Sequence, residues 1–313
     1  MLGLSAALPS GYPWSDTPWP HGSSNCTAKT KQKALYLGYS FSPSLEDTPA
    51  FDIAVEQYWN ATSDMRRYGK NGVFAAQPIH TSDGASGYFG SQADGEPSSG
   101  GLLFSIWDAK RKSLPSPADC VTIGAPNATW CGHKHSFPLS TTCRRHCLDC
   151  GLHPGWHNTS GTQCSIQVTL SEGDRLRFRL RRMVADVTYV DHAMPAHAPY
   201  SGSEWELSAT KLSGGCGLSP WSGNCTLVVG RMFWEDTHSG ISRFGAFHEH
   251  IGCTPCDAFY ESEVRGGPWV QSPSPRVANI SFKPPTSDCE LFSVELLPSK
   301  SAAQFRTGPG STG

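Results

Sequence analysis

The sequence predicts an all-β protein, an antiparallel β-sandwich or jelly-roll-like fold that is rich in disulfides. Three observations lead there. Short runs of aromatic, β-branched and apolar residues recur along the chain, and clusters of Gly, Pro, Ser and Asp separate them instead of amphipathic helices. One stretch, Arg175 to Arg182 (RLRFRLRR), alternates apolar and basic residues at the period of a strand. Twelve cysteines, an even number, lie mostly in turn-rich segments, as in a disulfide framework.

Residues 1–30 are rich in Pro, Ser and Trp without periodicity and read as a poorly ordered arm. The domain is expected over residues 31–298, beginning with a strand at Ala34–Phe41 (ALYLGYSF). A second is expected at Phe51–Trp59 (FDIAVEQYW), with Phe51, Ile53, Val55 and Gln57 on one face. Its β-branched and aromatic content favours a strand over a helix. Gly72–Ile79 leads into a hairpin built from Tyr88 and Phe89, a polar loop, and a strand at Leu102–Trp107 closed by Asp108.

Between Leu114 and Cys164 the composition shifts to cysteine and histidine. The segment reads as a Cys/His-rich insertion over residues 114–164. Cys143, Cys147 and Cys150, with His146, offer soft ligands at short spacing and form a weak zinc alternative. Two sequons inside the segment favour a disulfide-braced loop and no metal.

Further strands are expected at Cys164–Leu170, Arg175–Arg182, Val184–Val190, Ser203–Ser208, Cys225–Trp234, Phe244 onward, Arg276–Phe282 and Cys289–Leu297. Cys216 and Cys225 flank a turn-rich loop and are expected to pair across a hairpin. The remaining cysteines, Cys26, Cys120, Cys131, Cys253, Cys256 and Cys289, are assigned to disulfides too. The pair in C-T-P-C is read as structural and not redox-active. Residues 299–313 are polar and rich in Gly and Ser, which fits a disordered tail.

The formal net charge of -2 argues against nucleic acid as a partner. No apolar run reaches the roughly 20 residues that a membrane-spanning helix needs. Six of seven asparagines, Asn25, Asn60, Asn127, Asn158, Asn224 and Asn279, begin N-x-S/T sequons, so a secreted, extracellular glycoprotein is expected. The start, MLGLSAALPSG, has no basic region and only a short apolar stub, so a signal peptide is expected to be missing or truncated.

Two sets of residues are candidates for chemistry. In FHEH, His248, Glu249 and His250 offer an acid and bases; with Asp108 they form a weak catalytic set, and the spacing is not the H-E-x-x-H of zinc proteases. For ligand binding, Trp59, Trp107, Trp205 and Trp234 can stack on sugars, although strand tryptophans are more often core. Arg175, Arg177 and Arg179 can hold acidic glycans, although a solvated face opposite acidic neighbours is the commoner role of such a row.

GYFG-S-Q, LLFSIWD, the EGD turn with RFRL, E-W-E-L, FGAFHEHIGC and RGGPWV follow one another in an order that resembles a widespread extracellular family catalogued as a domain of unknown function. The resemblance spans about Ala34 to Leu297. It implies a β-sandwich module, often found with carbohydrate-associated domains, and supplies no catalytic residues. The function expected from the sequence is therefore carbohydrate binding or interaction at the cell surface or extracellular matrix. The partner is a glycan or an extracellular protein, and no cofactor is expected. The alternative is a secreted hydrolase or lyase acting on polysaccharide through His248, Glu249 and His250.

Overall fold

The computed structural model describes residues 33–40, 52–61, 73–81, 86–93, 100–110, 120–123, 128–131, 133–148, 159–168, 170, 173–190, 199–216, 220–221, 223–235, 241–250, 262–271, 276–282, 292–298 and 302–307. Among them every regular element is a strand. In chain order these are β1 (Lys33–Ser40), β2 (Asp52–Ala61), β3 (Val73–Thr81), β4 (Ser86–Ala93), β5 (Gly100–Trp107), β6 (Ala109–Lys110) and β7 (Cys120–Ile123). Next come β8 (Ala128–Cys131), β9 (His133–Lys134), β10 (Ser136–Pro138), β11 (Cys143–Leu148), β12 (Thr159–Gln167), β13 (Asp174–Tyr189) and β14 (Tyr200–Lys211). The last are β15 (Thr226–Glu235), β16 (Ile241–His250), β17 (Ser262–Gln271), β18 (Arg276–Val277), β19 (Asn279–Phe282), β20 (Phe292–Leu296) and β21 (Ala303–Thr307).

Two large antiparallel sheets form the sandwich. Sheet I has the order β11-β12-β5-β4-β3-β16-β1-β19; sheet II has the order β10-β15-β14-β13-β2-β17-β21-β20, with β18 paired to β17. Their inner faces meet in one apolar core that includes Ile79, Phe89, Phe104 and Phe244 from sheet I and Leu176, Phe178, Trp205 and Trp234 from sheet II. Phe89 and Phe178 lie 5.7 Å apart, centroid to centroid, across the two layers. Each such side chain taken fully out of water contributes roughly 1.5–3 kcal/mol.

The alternation of RLRFRLRR is realised as read. Leu176, Phe178 and Leu180 are buried while Arg175, Arg177 and Arg179 are exposed. The strand is longer than its pattern, however. Arg175–Arg182 and Val184–Val190 belong to one strand, β13, broken by two register shifts against β14, with Asp186 in a left-handed conformation at φ 53°. Bulges insert unpaired residues and reset the alternation, so one bent strand reads as two.

The expected tail is corrected. Ala303–Thr307 forms β21, paired with both β17 and β20, and Phe305 is 1% exposed in the core. β17 also went unread as a strand, because Gly266, Gly267 and Pro268 interrupt it. Its register against β2 shifts between Gly266 and Trp269, and Gly267 takes φ 105°, which glycine alone adopts without strain.

The Cys/His-rich insertion is woven into the sandwich. β10 joins sheet II, and β11 joins sheet I through β12. Cys143 and Cys164 face each other in register on β11 and β12 and form a disulfide. A Cβ on Gly230 of β15 would fall 2.6 Å from Cys143 Sγ and closer still to Cys164 Cβ and Sγ, so only glycine admits the bridge beneath sheet II. The zinc alternative is thereby corrected at Cys143, whose sulfur is committed to Cys164. The Cys216–Cys225 pair forms as expected. Cys120 and Cys131 stand opposite each other in register, Cys147 lies on β11, and Cys26, Cys150, Cys253, Cys256 and Cys289 fall outside the described residues. So do residues 1–30.

Candidate binding face

The outward face of sheet I carries a second, separate aromatic cluster. Alternation sends Phe89, Phe104 and Phe244 inward, so their neighbours point away from sheet II. Phe74, Ala76 and Leu103 pack there with Tyr88 and Phe247. Phe74 meets Tyr88 and Phe247 edge-on, each at 5.4 Å between centroids. Tyr88 lies 5.8 Å from Trp107 and 6.4 Å from Phe247.

Register explains the assembly. Phe247 stands opposite Ala76, Ala76 opposite Gly90, and Gly90 opposite Leu103, which gives a low floor. Tyr88 pairs with Ser105, Ser105 with Gln163, and Gln163 with Arg144. Trp107 pairs with Ser86, and Ser86 with His80. Gly90, Ala76, Leu103 and Ser105 are buried, whereas Tyr88, Trp107 and Phe247 are half-buried. His80 and Arg144 are exposed at the margin. Ser105 Oγ, 1% exposed at the level of the residue, has no hydrogen-bond partner among the described residues. Flat apolar rings beside hydroxyl, amide and guanidinium groups can stack on a sugar ring and bind its hydroxyls.

Asp108 follows Trp107 directly but turns into a different, buried setting. Arg145 Nη1 and Nη2 reach its two oxygens at 3.0 and 2.5 Å, the Ser136 amide donates at 3.0 Å and the Ser160 hydroxyl donates as well. His135 Nδ1 is 3.5 Å away, and the His135 amide donates to Glu235 at 2.8 Å. Burial alone would raise the Asp108 carboxyl; the Arg145 charge and the hydrogen bonds from His135 and Arg145 outweigh it and hold the group well below the ordinary carboxylate range. This is a fully committed carboxylate that ties β10, β11 and β12 to the end of β5.

His248 lies on the inner side of sheet I at 0% exposure, with Phe305 6.4 Å from its ring. Burial lowers it to about 3, so it is neutral at physiological pH. It pairs in register with Ala75, Ala75 with Ser91 and Ser91 with Leu102. Asp108 therefore lies three strands across and six residues along, roughly 25 Å away. The two do not share a cleft. Glu249 and His250 also lie on β16, opposite Phe74 and Val73.

Trp205 and Trp234 are corrected as ligand platforms. They are 0% and 1% exposed, packed edge to face at 5.8 Å, with no free face. Trp59 lies on β2 opposite Asp174. Arg175 and Arg177 share Glu56 at 3.0 and 2.5 Å, and burial of Glu56, which alone would raise its carboxyl, is outweighed by these two arginines. The arginine row therefore faces an acidic cross-strand neighbour, the commoner of its two readings. Among the sequons, Asn224 is exposed, Asn60 lies on β2 and Asn279 on β19, while Asn25, Asn127 and Asn158 fall outside the described residues.

No family model and no curated protein matches the chain. Solved structures are similar only distantly. They include scytalido-glutamic peptidase with a peptide-based transition state analog (TM-score 0.38) and with a transition state analog inhibitor (TM-score 0.39). A third is SCP-B, a member of the Eqolisin family of peptidases, in complex with the tripeptide Ala-Ile-His (TM-score 0.36). Each has 7% sequence identity and covers 89% of this chain and 100% of its own. Likeness of this degree bears on neither activity nor substrate.

Three residues of the aromatic face, Phe74, Tyr88 and Phe247, are not among the binding candidates that the sequence offers. The signal for Tyr88 and Phe247 is alternation: in GYFG and GAFH each has an inward-facing neighbour. The partners of Asp108 had no such signal, because Ser136, Arg145 and Ser160 come from strands distant in sequence.

Proposed function

We propose that the protein is a secreted glycoprotein whose sandwich binds carbohydrate on the outward face of sheet I, through Trp107, Tyr88 and Phe247. The observation that carries the reading is the convergence of these half-buried aromatic residues, from three separate motifs, around a floor of small residues with polar groups at its margin. The Cys143–Cys164 and Cys216–Cys225 disulfides support an oxidising compartment. An arginine row already occupied by Glu56 favours neutral over acidic glycans. The polysaccharide hydrolase reading has weaker support, since His248 is buried and Asp108 is engaged elsewhere.

A glycan array probed with wild type and Trp107→Ala tests the proposal, alongside an assay for released reducing ends. Binding that is lost in Trp107→Ala while the thermal transition is kept is the expected result. Binding unchanged in that variant would overturn the site. Reducing-end release abolished by Glu249→Gln would overturn the reading as a binding module.

A further inference from the structure

The sequon at Asn224, Cys225 and Thr226 sits where β15 begins, next to the Cys216–Cys225 disulfide. All three of its residues are engaged within the fold. The Asn224 side-chain oxygen accepts a hydrogen bond from the Thr226 amide at 3.2 Å. The Thr226 hydroxyl is 2.9 Å from the Thr210 hydroxyl on β14. Cys225 is held in a left-handed conformation at φ 59°, its carbonyl accepts from the Lys211 amide at 2.9 Å, and its sulfur is bridged to Cys216. A non-glycine residue at positive φ costs free energy that the surrounding bonds must offset. Asn224 itself is exposed.

In N-glycosylation the Asn224 oxygen that accepts the Thr226 amide is not the reacting atom, so what the fold withholds is the Thr226 hydroxyl and the backbone around Cys225. The acceptor carboxamide and the hydroxyl two residues on must both be presented to the transferase, in a segment that can leave its own backbone bonds. In the transfer, the bond from Asn224 Nδ2 to C1 of the sugar forms and the bond from C1 to the diphosphate of the lipid-linked donor breaks. The diphosphate leaves with the electron pair, and Nδ2 gives up one proton.

From this geometry we infer that Asn224 is a timed modification site: it accepts a glycan only before the β14–β15 hairpin and the Cys216–Cys225 bridge close, and the folded protein withholds it despite its exposure. Disulfide closure and glycan transfer then compete for the same short segment. The inference rests on the reading of the protein as a secreted glycoprotein.

The test uses protein made in bacteria, free of glycans and with its disulfides formed. It is incubated with an oligosaccharyltransferase and a lipid-linked oligosaccharide, and transfer to Asn224 is followed by mass spectrometry. The comparison is with the Cys216→Ser/Cys225→Ser double variant, whose sequon remains intact as Asn-Ser-Thr. Wild type is expected to react at Asn224 roughly tenfold more slowly or worse, equivalent to a local opening of about 1.4 kcal/mol. Equal rates would overturn the inference.

Faster transfer at Asn60 and Asn279 as well would mean that the double variant has lost its fold. Thr210→Val, which keeps the disulfide and removes the Thr210 partner of the Thr226 hydroxyl, then decides: faster transfer at Asn224 supports the inference and an unchanged rate overturns it. Separately, expression through a eukaryotic secretory pathway with no glycan at any of the six sequons would overturn the secretion reading, and leaves the comparison in vitro to judge the timing.

Discussion

Burial of His248 should make the protein acid-sensitive well above the range in which carboxylates titrate. In the folded protein the imidazole stays neutral down to about 3, while in the unfolded chain it takes up a proton near 6.5. The unfolded state therefore binds more protons between these values, and stability falls as pH falls through that window. It is fully present above about 6.5, and the total loss by about pH 3 is on the order of 5 kcal/mol. Between about pH 7 and about pH 5 the loss is about 2 kcal/mol, a large fraction of a typical folding free energy. Asp108 and Glu56, both held below their ordinary values of 3.8 and 4.5, begin to lose their contributions only as pH falls past those values, so they leave the interval between about pH 7 and about pH 5 to the imidazole.

The assay is urea unfolding of wild type and His248→Gln at both pH values, with disulfides intact. The variant is expected to be less stable at neutral pH, from lost packing, but to show a pH dependence shallower by about 2 kcal/mol over this range. The other histidines are common to both proteins and cancel in the difference. Parallel pH dependences would refute the reasoning, whatever the absolute stabilities.

Arg145→Ala should destabilise the protein by about 3–5 kcal/mol, because it strands the Asp108 charge inside the sandwich. Pairing it with Asp108→Asn should recover part of that loss, as measured by the same unfolding midpoint. Gly230→Ala should cost about 1–3 kcal/mol, since the added methyl overlaps the Cys143–Cys164 bridge. That cost should shrink in part when Cys143 and Cys164 are both replaced by alanine, which removes the overlap with the two sulfurs and leaves that with the Cβ of residue 164, a non-additivity readable in a double-mutant cycle.

Local chemistry made much of this protein legible before its structure. The period-two pattern of RLRFRLRR fixes which side chains enter the core, because side chains on a strand alternate whatever the strand pairs with. The turn-rich loop between Cys216 and Cys225 likewise brings two cysteines together over a short span. The hairpin of β4 and β5 followed from its own turn residues. Strands with a weak pattern of their own escaped: β17 carries Gly-Gly-Pro, and β21 sits in a polar, serine-rich tail. Both exist because neighbouring strands supply their hydrogen bonds and their burial.

Tertiary structure alone decided the roles of individual residues. Trp107, Trp205 and Trp234 are all strand tryptophans, yet of the three only Trp107 lies on the outward face and is less than fully buried. Asp108 and His248 looked like partners by residue type, and the sheet order sets them three strands apart. Asp108 found Arg145 and Ser160 instead, residues that the return of the insertion as β11 and β12 delivers beside β5. Sequence determines which residues can alternate, turn or bridge, since those are short-range properties of the chain. Which of them meet depends on strand order and register, which arise from the simultaneous pairing and burial of segments far apart in the sequence.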